Sequence, residues 1–187
     1  MYAYLLIVNL IFSAFMYQYK YPHPSVTTDC VIFGFDGEGL RVLLIERGGE
    51  PYKGCWAFPG GFLEMNESAE EGARRELMEE TGLTTPFVKQ FHAFTAPDRD
   101  PRERVLTIAY YSLIRMSEVK GMDDAAQARW FPLNEVPEQL AFDHNEMLRV
   151  AKEEIRKEIL LHSEDWQRMT RNFTKEEVKK IEGELKN

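Results

Sequence analysis

The sequence predicts an α/β fold, and three features carry that expectation. Two β-rich runs, 26–35 and 40–46, flank Asp36-Gly37-Glu38-Gly39 and read as a hairpin. A helix over 68–81 meets a clean stop at Gly82, and Asp143 is expected to cap another over 144–161. Further strand-like runs at 88–94, 106–114 and 128–133 mix strands with the two long helices.

Between the hairpin and the first helix come a polar loop, 48–54, and then Trp56-Ala57-Phe58-Pro59-Gly60-Gly61. Proline and paired glycines there force an irregular backbone close to the helix start, for which Asn66 is the expected N-cap. With a rotation of about 100° per residue, Ala69, Gly72, Ala73, Glu76, Glu79 and Glu80 share one helix face, while Glu71, Arg74 and Met78 point away. Small residues permit close packing, so three carboxylates edge the face that is most buried.

That placement is unfavourable by itself. The acids sit towards the negative end of the helix dipole, and Glu76 and Glu80 form a like-charge i, i+4 pair. Something positive belongs beside them, and clustered hard oxygen ligands suit Mg²⁺ or Mn²⁺, with Glu67 within reach to contribute. Arg75 is expected to pair with a neighbouring glutamate and orient it. A solvated acidic face is the competing reading, and it fits Glu64, Glu70 and Glu71.

The spacing Gly61-x5-Glu67-x7-Arg75-Glu76-Leu77-x-Glu79-Glu80-x-Gly82-Leu83 resembles the complete Nudix box. The resemblance implies an α/β/α sandwich around a mixed β-sheet and hydrolysis of a nucleoside diphosphate linked to another group. It implies that Glu76, Glu79 and Glu80 bind the divalent metals and act in catalysis, that Glu67 assists, and that Gly61 supplies a main-chain carbonyl ligand. Segments outside the box, including Trp56-Ala57-Phe58-Pro59-Gly60-Gly61-Phe62, Pro97-Asp98-Arg99-Asp100-Pro101-Arg102 and Ala141-Phe142-Asp143-His144, resemble an ADP-ribose pyrophosphatase-like branch. The implied reaction splits ADP-ribose to AMP and ribose 5-phosphate. An oxidised nucleoside triphosphate as substrate, or a non-catalytic ADP-ribose-sensing regulator, are the alternatives. For a regulator, Phe173-Thr174-Lys175-Glu176-Glu177-Val178 stands where a DNA-binding extension would start, but too few residues follow for a helix-turn-helix plus wing. Thr174-x-x-Glu177 instead reads as a capping box opening a short last helix.

The 187 residues, 44% hydrophobic, fit one core, and a formal charge of −8 argues against nonspecific nucleic-acid binding. A phosphate substrate then needs local cations, for which Arg47, Lys53, Arg99, Arg102 and Arg104 are available, with Arg47, Arg99 and Arg102 the substrate-binding candidates. Trp56, Phe58 and Phe94 are candidates to stack adenine or to fill the core, Phe58 being the one assigned to substrate. Asp98, Asp100, Glu103, Asp123 and Asp124 are distal candidates for a general base beside Glu79 and Glu80. Cys30 and Cys55 are too few for a disulfide framework or zinc site, so a cytoplasmic setting is expected.

The stretch 1–16 is apolar but lacks a basic n-region and the length of about 20 residues that a membrane span needs, so no membrane partner is expected. It reads as an upstream-start extension before a Nudix-like beginning at Met16, the alternatives being a helix packed on the domain or a weak anchor. The Nudix domain is assigned to 17–161 and a helical extension to 162–187. A homodimer is expected, with the apolar N-terminal residues or the Trp166 region as interface.

Overall fold

The structure is a computed structural model and describes residues 19–122 and 125–186. The expectations for residues 1–16, and those for Asp123 and Asp124, lie outside the described residues.

The strands are β1 (Ser25–Phe35), β2 (Leu40–Arg47), β3 (Trp56–Ala57), β4 (Gly60–Phe62), β5 (Lys89–Phe94), β6 (Val105–Arg115) and β7 (Ala125–Pro132). The helices are α1 (Ala69–Thr81), α2 (His144–Leu161), α3 (Glu164–Thr170) and α4 (Lys175–Lys186). All seven strands join one mixed sheet, in which β1 and β6 run parallel from Ser25 opposite Val105 to Phe35 opposite Arg115. The other pairings are antiparallel.

Both sheet faces are covered, which explains the almost unbroken burial of β1. Alternation decides which side chain goes where. Val31, Phe33, Phe35, Leu40, Val42, Leu44, Tyr111 and Leu113 face α2 to α4, against Met147, Ile155, Trp166 and Ile181. Cys30, Ile32, Leu43 and Tyr110 face the other way, against Ala73 and Leu77 of α1. The molecule is therefore the α/β/α sandwich anticipated above. Helices α3 and α4 close the same core as α2, through Trp166, Met169, Ile181 and Leu185.

One irregularity of the sheet shapes the site. Strand β1 pairs with β2 only over Phe33–Phe35, then takes β4 at Thr27–Asp29, while β2 takes β3 at Ile45 and Glu46. The two long strands part, and the Phe58-Pro59 turn fills the gap, with the Cys30 amide donating to the Pro59 carbonyl at 2.8 Å. The turn read as merely irregular thus carries two short strands.

Helix termini need two corrections. The N-cap of α1 is Ser68, not Asn66: Ser68 and Glu71 form a reciprocal capping box, so Glu71 has a local role rather than only a solvated one. Gly82 closes α1 in the left-handed conformation, φ 70°, its amide donating to the Met78 carbonyl. Asp143 occupies the N-cap position of α2 but makes no side-chain cap bond, because its carboxylate is held by Arg99. The Thr174–Glu177 capping box opens α4 as the sequence indicates.

Candidate active site

A cleft of about 400 Å³ opens where β1 and β2 part. Its wall from α1 presents Arg75, Glu76, Glu79 and Glu80, and the β4 edge presents Gly60, Gly61 and Phe62. The end of β2 and the loop after it bring Arg47 to Glu50; the 99–102 loop brings Arg99, Asp100 and Arg102; the start of α2 brings Phe142 and His144. The cleft therefore gathers Arg47, Arg99, Arg102, Phe58 and the three box glutamates of α1, whereas Glu67 stands beside it, bound to Arg75.

Arg75 organises the acids. Its guanidinium donates to both Glu67 oxygens at 3.0 and 2.7 Å, to Glu76 at 2.7 Å, to Glu79 at 2.9 Å and to the Phe62 carbonyl at 3.0 Å. It gains proton affinity from Glu67 above all, and holds the Glu67 carboxyl below its ordinary range in return. Glu76 is raised because burial outweighs Arg75. Glu80, 6% exposed, is pushed up to about 8 by burial, although the Gly60 amide donates to it at 2.8 Å. Two carboxyl groups whose charge is opposed by burial therefore line the wall.

The donor chemistry fits a hard divalent cation. A Cβ at Gly61 would lie 2.5 Å from Glu76 Oε1, so only glycine lets this carboxylate lie against the β4 backbone. As held by Arg75, the acids do not form a ready cage: among the described residues no three His, Cys, Asp or Glu groups converge as ion ligands. The guanidinium occupies the position of positive charge.

The cationic mouth is differentiated. Arg99 is nearly buried and forms a two-pronged pair with Asp143 at 2.9 and 2.7 Å, which engages its Nε and Nη2 donors. Arg102 pairs with Asp100 but is 41% exposed, and it lies 6.0 Å from the Phe142 ring. Arg47 lies 4.8 Å from the same ring, lowered in pKa by burial and then by Arg102. Phe58 is 1% exposed and stacks on His144, while Trp56 packs edge-on against Phe131, and Phe94 is buried. The open aromatic surfaces of the cleft belong to Phe62 and Phe142, which the sequence reading did not single out.

Asp29 was also missed. It is buried at the cleft floor, accepts the Thr107 hydroxyl at 2.5 Å and lies 3.6 Å from His144 Nε2. A lone acid within the apolar run of β1 was the available signal. Of the distal candidates, Asp100 lines the cleft, while Glu103 accepts the Ser25 hydroxyl.

Comparison with known proteins agrees with this geometry. The family described as "NUDIX domain" matches residues 23–151. An ADP-ribose pyrophosphatase of Methanocaldococcus jannaschii is 41% identical over 129 residues, covering 69% of this chain and 73% of the relative. The ADPR-responsive transcriptional repressor NtrR of Acinetobacter baylyi is 36% identical over 74% of this chain, which spans only 58% of that repressor. Among solved structures, the NUDIX domain of Shewanella oneidensis NrtR in complex with ADP-ribose superposes with a TM-score of 0.70 at 29% identity, covering 78% of this chain and 97% of that one. A MutT/nudix family protein from Enterococcus faecalis gives 0.74 at 31%, covering 88% and 74%. The match over most of the chain, with Gly61, Arg75, Glu76, Glu79 and Glu80 of the box at the cleft and Glu67 beside it, leads to one conclusion: the chain belongs to the NUDIX family and is a Nudix hydrolase.

Proposed function

We propose that the chain hydrolyses ADP-ribose to AMP and ribose 5-phosphate in a reaction dependent on Mg²⁺ or Mn²⁺. One observation carries this reading: Glu76, Glu79 and Glu80 share a cleft of about 400 Å³ with Arg47, Arg102 and the Phe142 ring. Carboxylates to hold cations, guanidinium groups for a diphosphate and an aromatic face for a ring are thus combined. Similarity to the archaeal ADP-ribose pyrophosphatase and to the ADP-ribose-bound NUDIX domain supports the substrate.

Glu67, Glu76, Glu79, Glu80 and the Gly61 carbonyl would hold the metal, which when bound polarises the phosphoanhydride and lowers the pKa of an attacking water. Glu76, Glu79 and Glu80 are the catalytic carboxylates. Arg75 keeps Glu67, Glu76 and Glu79 in register. Arg47 and Arg102 grip the diphosphate, and Phe142 keeps both guanidinium groups at the mouth. Arg99 fixes Asp143 and so the start of α2, and Phe58 supports the floor beneath His144. The partner is a small nucleotide sugar and not nucleic acid, the compartment is cytoplasmic, and a homodimer is the assembly. Residues 17–161 act as the hydrolase domain and 162–187 as its helical extension.

The repressor relative favours one second reading, an ADP-ribose sensor without turnover. Retention of every box glutamate weighs against it. The test is a Mg²⁺-dependent hydrolysis screen of the full chain against ADP-ribose, other ADP-sugars, NADH, diadenosine polyphosphates and 8-oxo-dGTP, with E79Q and E80Q. Preferential cleavage of ADP-ribose, reduced at least about a hundredfold in both variants, is expected, since even outer contacts to a metal contribute about 10–100-fold. Binding without turnover moves the sensor ahead, and preference for 8-oxo-dGTP overturns the substrate.

A further inference from the structure

A second depression, about 260 Å³, lies between the 83–87 loop after α1, the end of β6 and the junction of α3 with α4, and it shares no lining residue with the catalytic cleft. Its charge is unusual for this chain. The net formal charge is −8, yet the described lining contains Arg115, Arg168 and Arg171 and no Asp or Glu. The catalytic cleft, by contrast, pairs Arg75, Arg99 and Arg102 with carboxylates.

The three arginines differ in what holds them. Arg115 is fixed by both oxygens of Glu177 at 2.9 and 2.8 Å and by the Asn172 carbonyl at 3.0 Å. Arg168 lies 4.5 Å over the Phe87 ring, a contact that fixes the guanidinium without using its N–H donors. Among the described residues neither Arg168 nor Arg171 has a carboxylate partner or a side-chain hydrogen bond. Two donor-rich forks beside one small depression leave like charges uncompensated, and Thr84, Ser117 and Asn172 line it as well. Planar guanidinium groups match phosphate oxygens two at a time, and the volume suits a small molecule rather than a protein segment.

We propose that this depression is a binding site for a small phosphomonoester, a sugar phosphate or nucleoside monophosphate, held by Arg168 and Arg171 beside the Phe87 ring. The site is tied to the catalytic helix, because Arg74 of α1 donates to the Thr85 carbonyl in its rim. An occupant would join the C-terminal helices to the loop that leaves α1.

The experiment is equilibrium dialysis of the full chain in EDTA, which isolates the depression from metal-assisted binding in the acidic cleft. The probes are ribose 5-phosphate, AMP, inorganic phosphate and unphosphorylated ribose. Saturable 1:1 binding of a phosphomonoester is expected, weakened at least about tenfold in R168A/R171A, retained in R47A/R102A, and absent for ribose. Circular dichroism checks the fold of R168A/R171A, and single R171E provides an independent reading because Arg171 is exposed. Binding of inorganic phosphate as tight as that of ribose 5-phosphate and AMP would show a site for the phosphate group alone and overturn the phosphomonoester as its specific occupant. Absence of saturable binding, insensitivity to the Arg168 and Arg171 changes, or loss confined to R47A/R102A overturns the proposal.

Discussion

His144 accepts the Phe58 amide through Nδ1 at 2.9 Å, joining the first residue of α2 to the turn that leads into Gly60 and Gly61. An accepting Nδ1 leaves the proton of the neutral ring on Nε2, which faces Asp29. Burial holds the imidazole below its ordinary value of 6.5, against the opposing pull of Asp29 and Asp143 and with help from Arg99 and Arg47. The sign follows. Below pH 6.5 the unfolded chain takes up a proton that the folded one resists, so the neutral ring's contribution is complete above 6.5 and is lost as pH falls below it. Urea unfolding at pH 7.5 and 5.5 is expected to show this loss in the wild type and less of it in H144F. The variant also loses about 1–3 kcal/mol at pH 7.5, because the Phe58 amide is left unpaired. Equal pH dependence of the two proteins would remove His144 from the explanation.

Arg75 stands in for a cation among acids, and this leads to a measurement on metal-free protein. In R75Q, Glu67, Glu76 and Glu79 lose their shared donor, so the melting temperature in EDTA falls by several degrees, at about 2–4 °C per kcal/mol for a chain of this size. Added MgCl₂ then stabilises R75Q more than wild type, since uncompensated carboxylates favour a bound cation. A Mg²⁺-induced shift no larger than that of wild type would show that Arg75 and metal do not answer the same charge.

Much of this site was legible because α1 repeats its chemistry at fixed helical intervals and Gly82 ends it without ambiguity. The hairpin of β1 and β2 and the range of α2 were equally plain, their apolar periods being long. What escaped was set by contacts distant in sequence. Strands β3 and β4 are two and three residues long, too short for any period, and exist because β1 and β2 part. Asp143 has the residue type of a cap, but Arg99 arrives from 44 positions away and takes its carboxylate. Phe142 adopts φ 53° at the cleft mouth, a conformation that nothing in its neighbours foretells. Asn66 and Ser68 are both cap-forming residue types, and the Ser68-x-x-Glu71 spacing is what places the capping box at Ser68.

The two arginines of Pro97-Asp98-Arg99-Asp100-Pro101-Arg102 are expected to separate by phenotype. R99A leaves the Asp143 carboxylate, only 22% exposed, without its two-pronged partner, and costs about 3 kcal/mol of stability. R102A removes a guanidinium that is 41% exposed but leaves Asp100, only 3% exposed, with a backbone donor alone; it too loses stability, about 1–3 kcal/mol, and differs from R99A in raising KM for ADP-ribose with little change in kcat. Chemical denaturation with steady-state kinetics on both variants checks the contrast. A rise in KM as large in R99A as in R102A would mean that the 99–102 loop acts on substrate as a unit and not through the exposed Arg102 guanidinium.

Trp166 tests whether the last helices belong to the core that supports the cleft. The ring is 3% exposed in α3, in the same cluster as Phe33, Tyr111 and Ile155, and α3 is capped by Ser163 accepting from the Trp166 amide at 3.0 Å. Removing the indole leaves a cavity at the junction of sheet, α2 and α4, so W166A is expected to lose about 3–5 kcal/mol. A single cooperative unfolding transition should persist, because α3 and α4 share a core with α2. W166F, which refills part of that space, recovers a large share of the loss. If W166A instead unfolded in two steps, with the cleft of α1 and β4 intact after the first, the C-terminal helices would be a separable unit and their packing against α2 dispensable to the site.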